Sequence, residues 1–176
     1  SATGTTEIEP NNSQSAAHAI SIGVPVRGTV ASASDEDWYV VQASSSGSLN
    51  LRMTTPNEWV YFGEGWKFSI FDSAGNLLGS AICENWAYYD EEPCKSFDAG
   101  IGQAGYYYAL VESGYPDADP ANGTPDGYPN GTYVLEITCP TPDSDCDGVE
   151  DDIDAFPFDS SEQVDSDSDG IGNNAD

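Results

Sequence analysis

Short runs of β-branched and aromatic residues alternate with Gly, Ser, Asn and Asp along residues 1–142, and no long stretch has apolar residues at helical spacing. Leu49, Leu51 and Met53 alternate with polar residues, as expected when one face of a strand packs on a core and the other meets water. The pattern predicts about eight strands. They are 19–22, 24–30, 38–43, 48–53, 67–72, 77–81, 106–112 and 132–138.

Turn-forming residues separate these runs. The sequence DSAGN at 72–76 predicts a hairpin, because Asp, Gly and Asn favour tight turns. Residues 13–19 could form one short helical turn. About eight short strands in roughly 120 residues favour an all-β fold, an antiparallel β-sandwich or jelly roll.

Charge divides the chain at residue 143. Residues 143–176 hold 13 of the 31 acidic residues and no base, so this tail has a net charge of -13 and residues 1–142 have 4 - 18 = -14. The total of -27 disfavours nucleic acid and anionic membranes as partners. We expect two units, a sandwich at 1–142 and an acidic tail at 143–176 that needs cations to become ordered.

The first unit resembles the bacterial pre-peptidase C-terminal domain over roughly residues 7–138, and it is also similar to the collagen-binding modules of clostridial collagenases. The resemblance is carried by EPNNS at 9–13, AI at 19–20, Gly23, Val26, Gly28, DEDWY at 35–39, Gly47, Leu49, GYY at 105–107 and GTY at 131–133. It implies a β-sandwich jelly roll that serves as a non-catalytic module of a secreted hydrolase. Residues 55–66 and 82–96 look like insertions.

The tail contains two copies of one loop pattern, DSDCDGV at 143–149 and DSDSDGI at 165–171. Carboxylates at positions 1, 3 and 5 with Gly at 6 suit a hard cation, and we expect two or more Ca²⁺ ions. The expected ligands are Asp143, Asp145, Asp147, Val149, Asp151 and Asp154, then Asp165, Asp167, Asp169, Ile171, Asn173 and Asp176. The tail resembles thrombospondin type 3 repeats; the alternative is a solvated acidic linker.

A second calcium site is implied by the collagenase-like relatives, in which calcium joins the N-terminal segment to an Asp-containing turn. The matching positions are Glu7, Glu9, Asn11, Asn12, Asp35 and Asp37. The alternative is that the two aspartates are turn residues and that the asparagines lie in a solvent loop.

Four cysteines allow three disulfide connectivities, and an exported chain favours oxidation. The pairs that close the shortest loops are Cys83–Cys94 and Cys139–Cys146. The first would close an aromatic loop, and the second would attach the tail to the last strand. Zinc binding is the alternative, but the chain has no CxxC motif.

Catalysis is not expected, because the single histidine, His18, has no nucleophile signal near it and 31 acids single out no pair. Aromatic residues in the two insertions instead favour stacking on polysaccharide. The expected contacts are Trp59, Tyr61, Trp66, Trp86, Tyr88 and Tyr89. The alternative is that several of these rings cover one end of the sandwich as a small hydrophobic core.

The leading hypothesis is a monomeric ancillary module of a larger, secreted bacterial polypeptide that binds polysaccharide. The runner-up is a module that binds collagen or another insoluble protein, for which Tyr106, Tyr107, Tyr108 and Tyr133 would form a strand face. A third interpretation is a purely structural calcium-binding domain. The N-terminus has no targeting pattern, and the second loop ends at its last ligand, so we expect a mature piece cut from a longer chain.

Overall fold

The computed structural model describes residues 4–32, 34–44, 46–54, 65–83, 95–114, 132–139, 143, 149–157, 159 and 161–173. Within them, the strands are β1 (Thr5–Thr6), β2 (His18–Ala19), β3 (Val26–Thr29), β4 (Glu36–Ala43), β5 (Gly47–Thr54), β6 (Trp66–Phe71), β7 (Leu77–Cys83), β8 (Lys95–Ile101), β9 (Gly105–Ser113) and β10 (Thr132–Thr138). A 3-10 turn spans Gln14–Ala16, which confirms the predicted helical turn.

The strands form two five-stranded sheets. Sheet A has the order β1-β3-β10-β5-β8, and sheet B has the order β2-β4-β9-β6-β7. The predicted all-β sandwich is confirmed, but the sheets are mixed rather than purely antiparallel, because β1 pairs with β3 and β2 pairs with β4 in parallel. The N-terminal segment therefore adds one short edge strand to each sheet.

The core lies between the inward faces of the two sheets. Leu49, Leu51 and Met53 of β5 are fully buried, as their alternation predicted. The ring of Phe68 in sheet B lies 5.3 Å from that of Phe97 in sheet A. Burial of such side chains is the main favourable contribution to folding.

The predicted hairpin at 72–76 joins the antiparallel strands β6 and β7. The Asp72 amide donates to the Asn76 carbonyl at 3.0 Å, and the Asp72 carboxylate accepts from the amides of Ala74 and Asn76. Gly75 has a φ of 85°, a conformation that glycine adopts without a steric cost.

Two strands were missed from the sequence, and one prediction was too long. Strand β8 has only two large apolar residues, Phe97 and Ile101, among polar and small ones, and it is held by antiparallel pairing along β5. Strand β1 is only two residues long, and the predicted strand at 19–22 is reduced to β2. Helices long and apolar enough to span a membrane are absent from the described residues.

Candidate metal centre

The chain between β1 and β2 passes from sheet A to sheet B and is attached to both by its backbone. The Glu7 amide donates to the Arg27 carbonyl at 2.9 Å, next to β1. Further along, the Asn11 carbonyl accepts from the Trp38 amide of β4 at 3.0 Å. These bonds hold the acidic N-terminal segment beside Asp37, which is the first inward-facing residue of β4.

Three carboxylates meet at this place. Glu7, Glu9 and Asp37 each offer an oxygen, and the three oxygens lie within 4.8 Å of one another. Asp37 is fully buried, Glu7 is half-buried and Glu9 is exposed. The ion pairs of the described residues, Arg52 with Glu136 and Lys67 with Glu112, are elsewhere. The arrangement therefore concentrates negative charge around one point.

Two tyrosines, one from each sheet, donate hydrogen bonds to two of these carboxylates. The Tyr39 hydroxyl donates to Glu7 Oε2 at 3.1 Å, and the Tyr133 hydroxyl donates to Asp37 Oδ2 at 2.7 Å. The two hydroxyl oxygens lie 2.6 Å apart. Sequence reasoning missed this role, although both residues occupy inward positions in strands and follow the motifs DEDW and GT.

Other polar atoms at this place have no hydrogen-bond partner. Asp37 Oδ1 and both side-chain amide atoms of Asn11 are buried and unpaired among the described residues, whereas buried polar groups in proteins almost always have partners. Such oxygens are suitable ligands for a cation.

The pKa values follow from this burial. Desolvation, reinforced by the negative charges of Glu7, Asp35 and Glu9, raises the pKa of Asp37 from 3.8 to about 8, against the hydrogen bond from Tyr133. Burial likewise raises the pKa of Glu7. In the absence of a cation, the site is therefore costly to ionise fully.

Gly28 provides the space for this network. A Cβ atom at Gly28 would clash with the Tyr133 hydroxyl oxygen and would lie 2.6 Å from Glu7 Oε2. Any larger residue would therefore displace two groups of the network at once.

The other predicted residues of the N-terminal site stand outside the group of three. Asp35 Oδ2 accepts from the Ala31 amide at 2.6 Å, so this aspartate closes a turn, as the alternative interpretation proposed. Its charge nevertheless contributes to the raised pKa of Asp37. Asn12 is exposed. His18 is partly buried, and its Nδ1 accepts a hydrogen bond from the Ile8 amide at 3.3 Å.

The second loop of the tail also gathers carboxylates. Asp165, Asp167 and Asp169 offer oxygens within 4.8 Å of one another, and the Gly170 amide donates to Asp165 at 3.0 Å. Gly170 has a φ of 87°, which agrees with the sharp turn expected at position 6. The Asn173 amide group is hydrogen-bonded to Ser166.

Ile171 of this loop is exposed, and Asp176 lies outside the described residues. Of the ligands predicted for the first loop, Asp143, Val149, Asp151 and Asp154 are among the described residues. Asp154 is buried, and its Oδ2 has no hydrogen-bond partner among the described residues. Asp145 and Asp147 are outside the description.

Two groups of predicted contact residues need correction. Trp66 is fully buried, because β6 starts one residue earlier than predicted and places Trp66, with Phe68 and Ile70, on its inward face. Tyr107 and Tyr133 are also buried, so they cannot belong to an exposed strand face. Trp59, Tyr61, Trp86, Tyr88 and Tyr89 lie outside the described residues.

Both described cysteines, Cys83 and Cys139, are disulfide-bonded, and the described residues contain no free thiol. Cys94 and Cys146 are outside the description. The pairings Cys83–Cys94 and Cys139–Cys146 therefore stay predictions.

Comparisons with known proteins give likenesses in structure only. No family model matches the chain, and no curated protein matches it. One similar solved structure is the pre-peptidase C-terminal domain of collagenase from Bacillus anthracis, with 16% identity, a TM-score of 0.44, and coverage of 69% of this chain and 94% of that one.

Another is CorA, described as a surface-associated copper-binding protein important in copper acquisition in Methylomicrobium album BG8. It has 13% identity, a TM-score of 0.48, and coverage of 79% of this chain and 98% of that one. The first structure fits the resemblance stated from the sequence. At these TM-scores neither likeness carries an argument about function, and the thrombospondin type 3 resemblance stays a prediction.

Proposed function

We propose that this chain is a non-catalytic, calcium-binding ancillary module of a larger secreted bacterial polypeptide. One Ca²⁺ would bind between the N-terminal segment and β4, held by Glu7, Glu9 and Asp37, with Asn11 as a further oxygen ligand. The observation that supports it most is the buried, unpaired Asp37 Oδ1 in a group of three carboxylates.

The donor set favours calcium over other metals. All three grouped side chains are carboxylates, and hard oxygen ligands suit Ca²⁺ or Mg²⁺ rather than zinc or copper. Mg²⁺ usually retains several waters, whereas Ca²⁺ accepts many protein oxygens in flexible geometry. Burial of Asp37 therefore favours Ca²⁺.

Bound calcium would have a structural consequence. Glu7 follows β1 of sheet A, and Asp37 belongs to β4 of sheet B. A cation bound by both would fasten the N-terminal segment across the end of the sandwich and neutralise the negative charges that add to desolvation in raising their pKa values. Binding free energy would thereby become folding free energy.

The test is the number of Ca²⁺ ions bound per chain, measured by equilibrium dialysis, together with calorimetry. Asp37→Asn removes one carboxylate charge with almost no change in volume, and Glu9→Gln does so at an exposed position that cannot disturb the core. The control is Asp98→Asn on β8, an exposed aspartate that is hydrogen-bonded to Asn50.

We expect Asp37→Asn to bind one Ca²⁺ ion fewer per chain than the wild type. Glu9→Gln should bind that ion more weakly, and Asp98→Asn should bind as the wild type does. Equal stoichiometry and affinity in all four proteins would overturn the N-terminal site. Ions bound by the tail contribute equally to every variant and do not obscure the difference.

The same proposal includes two features that rest on the sequence. The tail would bind further Ca²⁺ through its two acidic loops and act as a stiffened connection to the parent polypeptide. The module would bind polysaccharide through exposed aromatic rings, with a collagen-like or other insoluble protein as the alternative ligand. A binding panel of insoluble polysaccharides and collagen, with and without Ca²⁺, distinguishes these ligands, and binding to none of them would leave a purely structural calcium-binding role.

A further inference from the structure

The outward face of sheet B carries an apolar row that crosses all five strands. Strand pairing places Ala19 beside Val40, Val40 beside Tyr108, Tyr108 beside Phe71, and Phe71 beside Leu77. None of these five residues, here named the outer row, is buried. Four interstrand spacings give the outer row a length of about 19 Å.

Aromatic side chains extend the outer row on both sides, Trp38 on one and Tyr106 on the other. The ring of Trp38 lies 5.6 Å from that of Phe71, and the Trp38 indole N–H is fixed by a hydrogen bond to Glu36 at 2.9 Å. Tyr106 is 54% exposed on the same face and pairs with Gln42. The rings are thus presented by paired strands, which lowers the entropy lost when a ligand is bound.

Polar groups border the outer row at its centre. An open groove of about 430 Å³ is lined by Tyr108 together with Ser13, Gln14 and Ser15 of the 3-10 turn region. The two serine hydroxyls are 3.1 Å apart. The groove therefore combines an aromatic ring with two hydroxyls and one carboxamide, groups that both donate and accept hydrogen bonds.

We propose that this groove and the outer row bind a neutral polysaccharide chain. Sugar rings would stack their apolar faces on Tyr108 and its neighbours, and their hydroxyl groups would exchange hydrogen bonds with Gln14 and the serines. The inference rests on the proposed polysaccharide-binding function and moves the contact from the insertion loops to this sheet face.

The charge of the protein disfavours an anionic ligand. The four residues that line the groove are uncharged, while the whole chain has a net charge of -27, which repels polyanions such as uronate or sulfated glycans. The length of the outer row suits several sugar units in line rather than a single sugar. The Lys67–Glu112 ion pair lies on the same sheet face, in a different cross-strand row from Tyr108.

The experiment is a depletion assay with insoluble neutral polysaccharides (cellulose, chitin and insoluble xylan), with collagen fibrils in parallel, on the full chain at saturating Ca²⁺. Tyr108→Ala removes the central ring, Tyr108→Phe keeps the ring without its hydroxyl, and Gln14→Ala removes the carboxamide. Arg52→Ala, on the outward face of sheet A, is the control. Thermal unfolding of each variant verifies that the fold is intact.

We expect Tyr108→Ala to bind the retained polysaccharide about tenfold or more weakly, as for a central aromatic anchor. Gln14→Ala should be weakened less, and Tyr108→Phe and Arg52→Ala should bind almost as the wild type does. If the wild type binds a neutral polysaccharide and folded Tyr108→Ala binds it equally well, the sheet-face site is wrong while the proposed function stands.

If the wild type binds no polysaccharide, the sheet-face site and the polysaccharide-binding part of the proposed function are both wrong, while the calcium site is tested separately by dialysis. Retention on collagen alone, lost in Tyr108→Ala, would overturn the sugar assignment and identify the face as a protein-binding surface.

Discussion

Tyr39 of sheet B and Tyr133 of sheet A have hydroxyl oxygens only 2.6 Å apart, and each also contacts a carboxylate. The chain Glu7–Tyr39–Tyr133–Asp37 contains three hydrogen bonds, which need three protons. The two hydroxyls supply two and donate them to the carboxylates, so the contact between the hydroxyls has no proton of its own while both acids are ionised. Protonation of one carboxyl group would supply the third proton, in agreement with the raised pKa values of Asp37 and Glu7. A cation that binds the carboxylates competes with that proton, so metal binding and proton release are coupled here.

Removal of the Tyr133 hydroxyl tests this network. Tyr133→Phe leaves the ring in the core but deprives Asp37 Oδ2 of its donor, so we expect a loss of about 1–3 kcal/mol in the free energy of unfolding and weaker Ca²⁺ binding. Urea unfolding and calorimetry measure the two effects. Tyr106→Phe, at a residue 54% exposed, should change neither, and a Tyr133→Phe protein as stable as the wild type would refute the network's importance.

Gly28, which is buried in β3, can be tested against Gly100, an exposed glycine of the edge strand β8. Gly28→Ala forces a methyl group against the Tyr133 hydroxyl and Glu7, and overpacking of this kind costs about 1–3 kcal/mol. Gly100→Ala on β8 meets no atom within 4 Å and should be tolerated.

We would compare the two glycine variants by thermal unfolding with and without Ca²⁺. Because Gly28→Ala displaces the carboxylate of Glu7, it should also reduce the stabilisation that Ca²⁺ gives. If Gly100→Ala is as harmful as Gly28→Ala, the effect is one of strand glycines in general.

How much could be read from the sequence depends on how local each signal is. The alternation of Leu49, Leu51 and Met53 identifies an inward strand face directly, and the hairpin at 72–76 is specified by its own residues. The meeting of Glu7 with Asp37 depends on parallel pairing of β1 with β3, a contact between short segments that no local pattern encodes. It was expected only through the resemblance to collagenase modules.

The errors have the same physical origin. Trp66 was placed in a loop because the strand boundary was set one residue late, although Trp66 continues the inward alternation of Phe68 and Ile70. The tyrosines of GYY and GTY were grouped as a surface, although alternation buries Tyr107 and Tyr133 and leaves Tyr106 exposed.

The stability of the calcium-free protein should fall as pH rises. Asp37 has a pKa of about 8 in the folded protein against 3.8 ordinarily, so between these values the unfolded chain binds fewer protons than the folded one. The free energy of unfolding then decreases from about pH 4 to pH 8, and the raised pKa of Glu7 acts in the same direction.

Chemical denaturation of the chelated protein across this pH range measures the slope. Asp37→Asn should flatten it, Asp98→Asn should retain it, and Ca²⁺ should restore stability at pH 8. A calcium-free wild type whose stability does not change over this range would contradict the burial of an ionisable Asp37.

The second tail loop should need Ca²⁺ to protect its backbone from hydrogen exchange. Asp165, Asp167 and Asp169 place their oxygens within 4.8 Å, and like charges at such a separation repel strongly unless a cation lies among them. Asp169→Asn removes one of the three, whereas Asp159→Asn changes an exposed aspartate whose carboxylate accepts from Ser161.

Hydrogen exchange followed by mass spectrometry on residues 161–173 should show Ca²⁺-dependent protection in the wild type and in Asp159→Asn, and much weaker protection in Asp169→Asn. The carboxylates of Asp165 and Asp169 accept hydrogen bonds from the amides of Gly170 and Ile171, and a bound ion would hold these carboxylates in place. If Ca²⁺ leaves the exchange of the wild-type loop unchanged, the tail is a solvated acidic linker.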